Sequence, residues 1–308
     1  MTMIVMPSYW RRLSVLGGAV ALATLAAGCG SSEPPSQSNE AAGTSTVAAF
    51  YPLAWLAEQV GGDRVEVDLL TSPGVEPHDL ELNPRQIAAI VEADVALFLQ
   101  GLQPAVDDAV EQGVRGTAID ATEVVDMLPT DESGDSEPDP HLWLDPLRMA
   151  ELAERVGEAY AEANPDNADA YDSAVDTVVA DLEQLDGEYQ QTLVDCRTRT
   201  VVTSHDAFGY VADRYNLELL PIAGIDPANE PSPERLAKLV DLVKAEDVTT
   251  IFTETLVSPA VAETLANETG LDVATLDPIE GLSDQTAGED YLSLMRANLS
   301  ALAQANGC

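Results

Sequence analysis

The longest uninterrupted helical pattern falls in the middle of this chain, and it limits what the rest can be. Residues 167–194 hold no proline and a single glycine, Gly187, with apolar side chains at Val175, Val178, Val179, Leu182 and Leu185. At about 1.5 Å per residue this is one helix of roughly 40 Å. Short β-branched runs lie on both sides, at 46–50, 65–70 and 95–99 before it and at 200–202, 217–222, 249–253 and 273–276 after it. They alternate with amphipathic stretches at 84–92, 146–163, 232–245, 259–269 and 291–304. Such alternation argues for parallel sheets covered by helices. The expected fold is α/β, with two lobes that each carry a mainly parallel sheet flanked by helices, joined by one long rigid helix.

Roughly 260 ordered residues suit two domains better than one core. The expected division is a first lobe at 46–165, the connecting helix at 166–194 and a second lobe at 195–308. A stiff helix in place of a flexible linker disfavours large hinge closure. Several helix ends are legible. Asp145-Pro146, Ser232-Pro233 and Ser258-Pro259 each place a capping side chain ahead of a proline in the first turn, and Gly270 marks a stop.

Residues 1–28 read as a targeting segment and are set aside from the fold. Arg11 and Arg12 precede an apolar stretch at 13–25, short of the about 20 residues a membrane span needs. The stretch closes on Leu25-Ala26-Ala27-Gly28-Cys29, which resembles the bacterial lipoprotein processing signal, with Ala26 where that pattern prefers leucine. Cys29 is then the expected lipid-bearing residue, and 29–45, rich in Ser, Pro, Gly and Glu, a flexible tether. An ordinary secretory signal is the alternative. Either places the chain outside the cytoplasm, where the remaining pair, Cys196 and Cys308, reads as a disulfide.

Removing 1–28 takes away two arginines and no acids, so the net charge moves from −40 to −42, and the only lysines are Lys238 and Lys244. Nucleic acid and anionic lipid surfaces need a basic face, so this polarity argues against both as partners. The acidity itself is a solubility feature, screened beyond about 10 Å at 0.1 M salt.

Only three histidines occur: His78, His141 and His205, spaced 63 and then 64 residues apart. Each stands in a turn-like context beside a carboxylate, in Glu76-Pro77-His78-Asp79, Asp139-Pro140-His141 and Ser204-His205-Asp206. Imidazole is the commonest protein ligand for zinc and similar ions, and three imidazoles with one carboxylate satisfy a tetrahedral ion. His205 directly follows an expected strand, as does Asp277, and ligands in open α/β sheets collect at the carboxyl ends of strands. Two ligands from each lobe would then meet in the cleft between them.

These segments resemble the metal-binding receptors of ABC importers for zinc and manganese, over essentially the whole mature chain. The resemblance rests on Ser72-Pro73-Gly74-Val75-Glu76-Pro77-His78-Asp79, on Asp139-Pro140-His141-Leu142-Trp143-Leu144-Asp145-Pro146 and on Ser204-His205-Asp206-Ala207-Phe208-Gly209-Tyr210. Phe252-Thr253-Glu254 and Leu276-Asp277-Pro278 extend it. It implies that the residues at His78, His141, His205 and Asp277 bind the ion, and that an ABC permease is the partner. Manganese receptors of the family commonly carry Glu at the position of His205. Three nitrogens and one carboxylate here favour Zn2+, with Mn2+ the alternative. Many zinc receptors of the family also carry a histidine-rich loop before the position of His141, whereas residues 130–137 hold none.

Nearby residues have plainer readings beside functional ones. Asp206 orients an imidazole or caps the helix beginning near Ala207. Glu254, at a strand end, is a candidate for the shell behind the ligands. Glu76 is a ligand, an outer partner or a turn residue. Glu280 is the fallback fourth ligand if Asp277 faces away, and Trp143 packs behind His141. The expectation is a monomeric extracytoplasmic receptor, anchored by lipid to the cell membrane, with no enzymatic activity. A zinc hydrolase is disfavoured because the chain lacks a His-Glu-x-x-His motif and a fourth protein ligand closes the coordination sphere. A surface adhesin is the third reading, and no segment of the sequence points to its binding face.

Overall fold

Among the described residues, eight strands assemble into two four-stranded sheets, both wholly parallel. A computed structural model describes residues 43–129, 138–229 and 231–308, which belong to one compact unit. The expected lipidation site Cys29, the targeting segment, all but the end of the tether and most of the acidic loop before His141 lie outside the described residues.

The first half runs β1 (Thr44–Ala48), α1 (Tyr51–Gly61), β2 (Val65–Leu69), α2 (Pro84–Glu92), β3 (Val95–Phe98), α3 (Pro104–Glu111), β4 (Thr117–Asp120), the single turn α4 (Ala121–Val124) and α5 (Pro146–Ala163). The long helix α6 (Ala168–Leu193) follows. The second half runs β5 (Thr200–Thr203), α7 (Gly209–Tyr215), β6 (Glu218–Pro221), α8 (Pro233–Ala245), β7 (Thr250–Thr253), α9 (Ala260–Thr269), β8 (Asp272–Thr275) and α10 (Tyr291–Asn306). Strand order is β2-β1-β3-β4 in one sheet and β6-β5-β7-β8 in the other, the same winding twice. Strand order reverses between β1 and β3, and between β5 and β7, which is where open α/β sheets bind ligands.

Local chemistry accounts for most of these boundaries. Asp145 accepts the amide of Leu147 and Ser232 that of Arg235, each capping a helix with proline in its first turn. Gly270 ends α9 at φ +76, a conformation that costs glycine nothing. The Ser258 device is displaced: α9 begins at Ala260, although the Ser258 hydroxyl still accepts that residue's amide. β4 is the strand the hydrophobic pattern does not announce. Of its four residues only Ile119 is buried and it sits at a sheet edge, so one pairing with β3 suffices to hold it.

α6 spans 26 residues and buries Tyr171, Val178, Leu182, Leu185, Asp186, Tyr189 and Leu193 on one face. Near its start Tyr171 packs on Tyr160 of α5, with ring centroids 5.5 Å apart. Near its end Tyr189 stacks on Tyr215 of α7 at 4.9 Å and donates to the Met295 carbonyl of α10 at 2.6 Å. Arg214 of α7 reaches Asp186 of α6 at 2.6 Å. The helix therefore packs against both halves rather than bridging a gap. The main core follows it, running from Phe50 and Trp55 through Trp143 and Leu182 to Tyr291 and Phe252. A smaller core, with Val202, Leu239, Ile251 and Leu265, lies under α8 and α9. Cys196 and Cys308 form a disulfide that ties the end of α10 to the segment before β5. Among the described residues no helix is long and apolar enough to cross a membrane.

Candidate metal centre

Four side chains from separate parts of the chain bring one ligand atom each to a common point: His78, His141, His205 and Glu280, with all four atoms within 4.8 Å of one another. Glu280 Oε1 lies 3.6 Å from His78 Nε2, 3.4 Å from His141 Nε2 and 3.3 Å from His205 Nε2. The His141 and His205 Nε2 atoms are 3.3 Å apart. A tetrahedral zinc ion with bonds of about 2.0–2.1 Å sets its ligands roughly 3.3 Å from one another. The three edges from Glu280 and the one between His141 and His205, at 3.3–3.6 Å, match that spacing closely.

Two of the three rings are aimed by a supporting carboxylate. His141 donates from Nδ1 to Asp139 Oδ1 at 2.7 Å, and the same oxygen accepts its backbone N–H at 3.0 Å. Glu254 holds His205 alike, with both oxygens 2.8 Å from Nδ1 and Oε1 accepting the backbone N–H at 3.1 Å. With Nδ1 protonated against a carboxylate, the Nε2 lone pair is left for a cation. His78 sits on a 3-10 turn, Pro77–Asp79, whose start is capped by Glu76 accepting the His78 amide at 3.1 Å.

His141, His205 and Glu280 are fully buried. His78 Nε2 and both Glu280 oxygens are buried with no hydrogen-bond partner. Buried polar atoms are ordinarily paired, since leaving one unpaired costs about 1–3 kcal/mol. Unpaired buried atoms on two side chains of one His-Glu cluster are the pattern of a cation-binding site. The protonation balance follows. Burial opposes ionisation of Glu280, but the three histidines outweigh it and hold the carboxyl well below its usual range. Burial likewise disfavours charge on His205 and His141, yet the carboxylates around them raise both pKa values, His205 strongly. Glu76, half-buried and beside Glu280, is pushed up to about 8 by burial first and by that carboxylate second.

Two expectations are corrected. Asp277 is not in the group. Its Oδ1 accepts the amide of Ile279 at 2.8 Å and its Oδ2 the hydroxyl of Thr255 at 3.0 Å, which turns the carboxylate to its own loop. The Asn298 side chain also pairs with the Asp277 backbone at both N–H and C=O. Ile279 stands at φ +58, a left-handed conformation rare for a β-branched residue, and that turn brings Glu280 back to the histidines. Trp143 is fully buried as expected, but it also donates from Nε1 to the Pro278 carbonyl at 2.7 Å, steadying this loop.

Asp206 takes neither of its two candidate parts. Among the described residues its side chain makes no hydrogen bond to a histidine, and α7 starts at Gly209 after Phe208, without a side-chain cap. Asp139 is the residue that sequence reasoning missed. Its signal is a repeat, acid-Pro-His, at both Glu76-Pro77-His78 and Asp139-Pro140-His141. Both acids accept the histidine's amide, and Asp139 also reaches its own ring.

Twin parallel sheets, a long helix packed against helices of both halves and a buried cation-shaped cluster define the class: an α/β solute-binding protein made for a small ion. The chain matches the family described as zinc-uptake complex component A, periplasmic, over residues 46–305, and it belongs to that family. It is 33% identical over 296 residues to the high-affinity zinc uptake system protein ZnuA of Bacillus subtilis, covering 90% of this chain and 92% of that one. The zinc-binding lipoprotein AdcA of Streptococcus pneumoniae is 34% identical over 275 residues. That match takes in 84% of this chain but only 55% of AdcA. The solved zinc-bound ZnuA-like domain of S. pneumoniae AdcA superposes with a TM-score of 0.75 at 32% identity, covering 86% of this chain and all of that domain. The laminin-binding protein Lmb of Streptococcus agalactiae, described as bifunctional with adhesin and metal-transporting activity, gives 0.77 at 33% identity, with 85% and 99% covered.

Proposed function

We propose that this chain is an extracytoplasmic zinc receptor, held at the membrane by a lipid on Cys29, which passes the ion to an ABC permease. The observation that carries this reading is the convergence of His78, His141, His205 and Glu280 with unpartnered buried atoms at tetrahedral spacing. Family membership supports the transport role. Three imidazole nitrogens and one carboxylate favour zinc over the harder manganese ion. Asp139 and Glu254 fix the tautomers and raise the basicity of the rings they hold.

Nothing in this role requires bond chemistry. Four protein ligands fill the tetrahedron, whereas a catalytic zinc keeps one position for water. The protein acts as a monomer whose two lobes, 46–165 and 195–308, enclose the ion, with 166–194 as a stiff connector. Zinc-edge X-ray absorption on protein carrying one equivalent tests the ligand set. Three nitrogens and carboxylate oxygen near 2.0–2.1 Å are expected, and a sulfur shell or an octahedral oxygen shell would overturn it.

A further inference from the structure

Glu76 holds an oxygen that the four-ligand site does not use. Its Oε1 accepts the His78 amide at 3.1 Å, while its Oε2 is buried and unpartnered. The carboxyl adjoins that of Glu280. On its other side Glu76 lines a groove of about 380 Å3, open to solvent, with Asp79, Ser204, Ala223, Pro227 and Ser258. Of the four clustered side chains only His78 is partly exposed, 10% against 0% for the rest. The least buried ligand and the unused oxygen thus stand two residues apart on one turn.

We propose that Glu76 is a transient oxygen ligand through which zinc enters and leaves the buried cluster. Oε2 takes a coordination position as the His78 imidazole gives it up, and the ion passes between the cluster and the groove. In this step one metal–nitrogen bond is exchanged for one metal–oxygen bond; water from the groove then replaces the remaining protein ligands as the ion leaves, and no redox change occurs. The inference rests on the zinc-binding reading above and adds the route. A larger cavity of about 840 Å3 also reaches His78, walled by Gln100, Asp107, Pro140, Ile225 and Asp226, and Glu76 is not part of it. It is the competing path.

Stopped-flow measurement of zinc uptake and of chelator-driven zinc loss distinguishes the two on purified wild type, Glu76→Gln, Glu76→Asp and Asp107→Asn. Glu76→Gln, whose amide oxygen can still accept the His78 N–H, is expected to slow both rates by about tenfold, the lower end of what losing a partner at a metal site costs, with Kd moving far less than either rate. Glu76→Asp, which keeps a carboxylate, recovers part of both rates, and Asp107→Asn changes neither. Wild-type rates in Glu76→Gln overturn the proposal, as does faster loss with weakened Kd, the mark of a permanent ligand or of structural damage. Slowing in Asp107→Asn alone assigns the larger cavity instead. A wild type that takes up no zinc removes the zinc-binding reading itself, and its missing amplitude tells that failure apart from the others.

Discussion

Asp277 accepts the backbone N–H of Ile279 at 2.8 Å, and Ile279, at φ +58, is the residue that turns Glu280 toward the three histidines. The carboxylate at the strand end thus shapes the loop, and the carboxylate three residues later faces the histidine cluster. A strained conformation held by its surroundings at a binding site is a recurrent arrangement.

Substitution at the two acids should therefore give unequal results. Asp277→Ala loosens the turn, and zinc affinity falls about ten- to a hundredfold while stoichiometry stays at one. Glu280→Ala removes an anion in contact with three imidazoles and weakens binding further. Chelator competition on both variants checks the order. Retained binding in Glu280→Ala with none in Asp277→Ala would make Asp277 the ligand.

Gly209, the first residue of α7, is constrained by space rather than by its backbone. A Cβ there would stand 2.4 Å from Asp139 Oδ2, the second oxygen of the carboxylate that orients His141. Because that oxygen ends a side chain, Gly209→Ala folds by rotating the carboxylate, and zinc binding weakens about tenfold. In an Asp139→Ala background the same change costs nothing more, since the obstructing oxygen is gone. Titration of the four proteins of this cycle gives the coupling. Additive losses would mean that Gly209 acts elsewhere.

Zinc binding should release protons near neutral pH. Burial alone would lower the His205 and His141 pKa values, but Glu254, Asp139 and Glu280 raise them. In the cation-free protein these bound protons stabilise the fold below the unfolded-state pKa near 6.5, and that stabilisation is lost as pH rises through the higher folded values. Glu280, with its pKa lowered, contributes stability above its unfolded value and loses it as pH falls through the folded one. Zinc takes neutral imidazole, so apparent affinity climbs with pH until the raised histidine values are passed. Calorimetry in buffers of different ionisation enthalpy should show release of about one to two protons at pH 7. A binding heat independent of buffer contradicts this.

The helix α6 packs on both halves and the main core runs through them without a break. Loading with zinc should then leave the lobes in place, with release driven by docking to the permease. Small-angle scattering of cation-free and zinc-loaded protein is expected to give near-identical profiles. A large change in radius of gyration would restore a hinge.

The sequence exposed the parts of this structure that follow periodicity and turn chemistry. The long helix, seven of the eight strands and the capped helices were legible because each carries its own local signal. β4 was not, since an edge strand of four residues needs little apolar pattern. The three histidines stood out through scarcity and turn context. The fourth corner did not, because a strand-end rule selects Asp277, and no propensity foretells an isoleucine at positive φ before Glu280. The supports behind the rings depended on reach. Glu254, just after β7 and far from His205 in sequence, accepts the ring N–H, while Asp206 beside it makes no hydrogen bond to a histidine ring.

Competition titration of chelator-stripped protein with zinc and manganese tests the cation cluster most directly. One equivalent of tightly held zinc that manganese does not displace is the expected result. Preferential retention of manganese, or no stoichiometric binding of either ion, would contradict it.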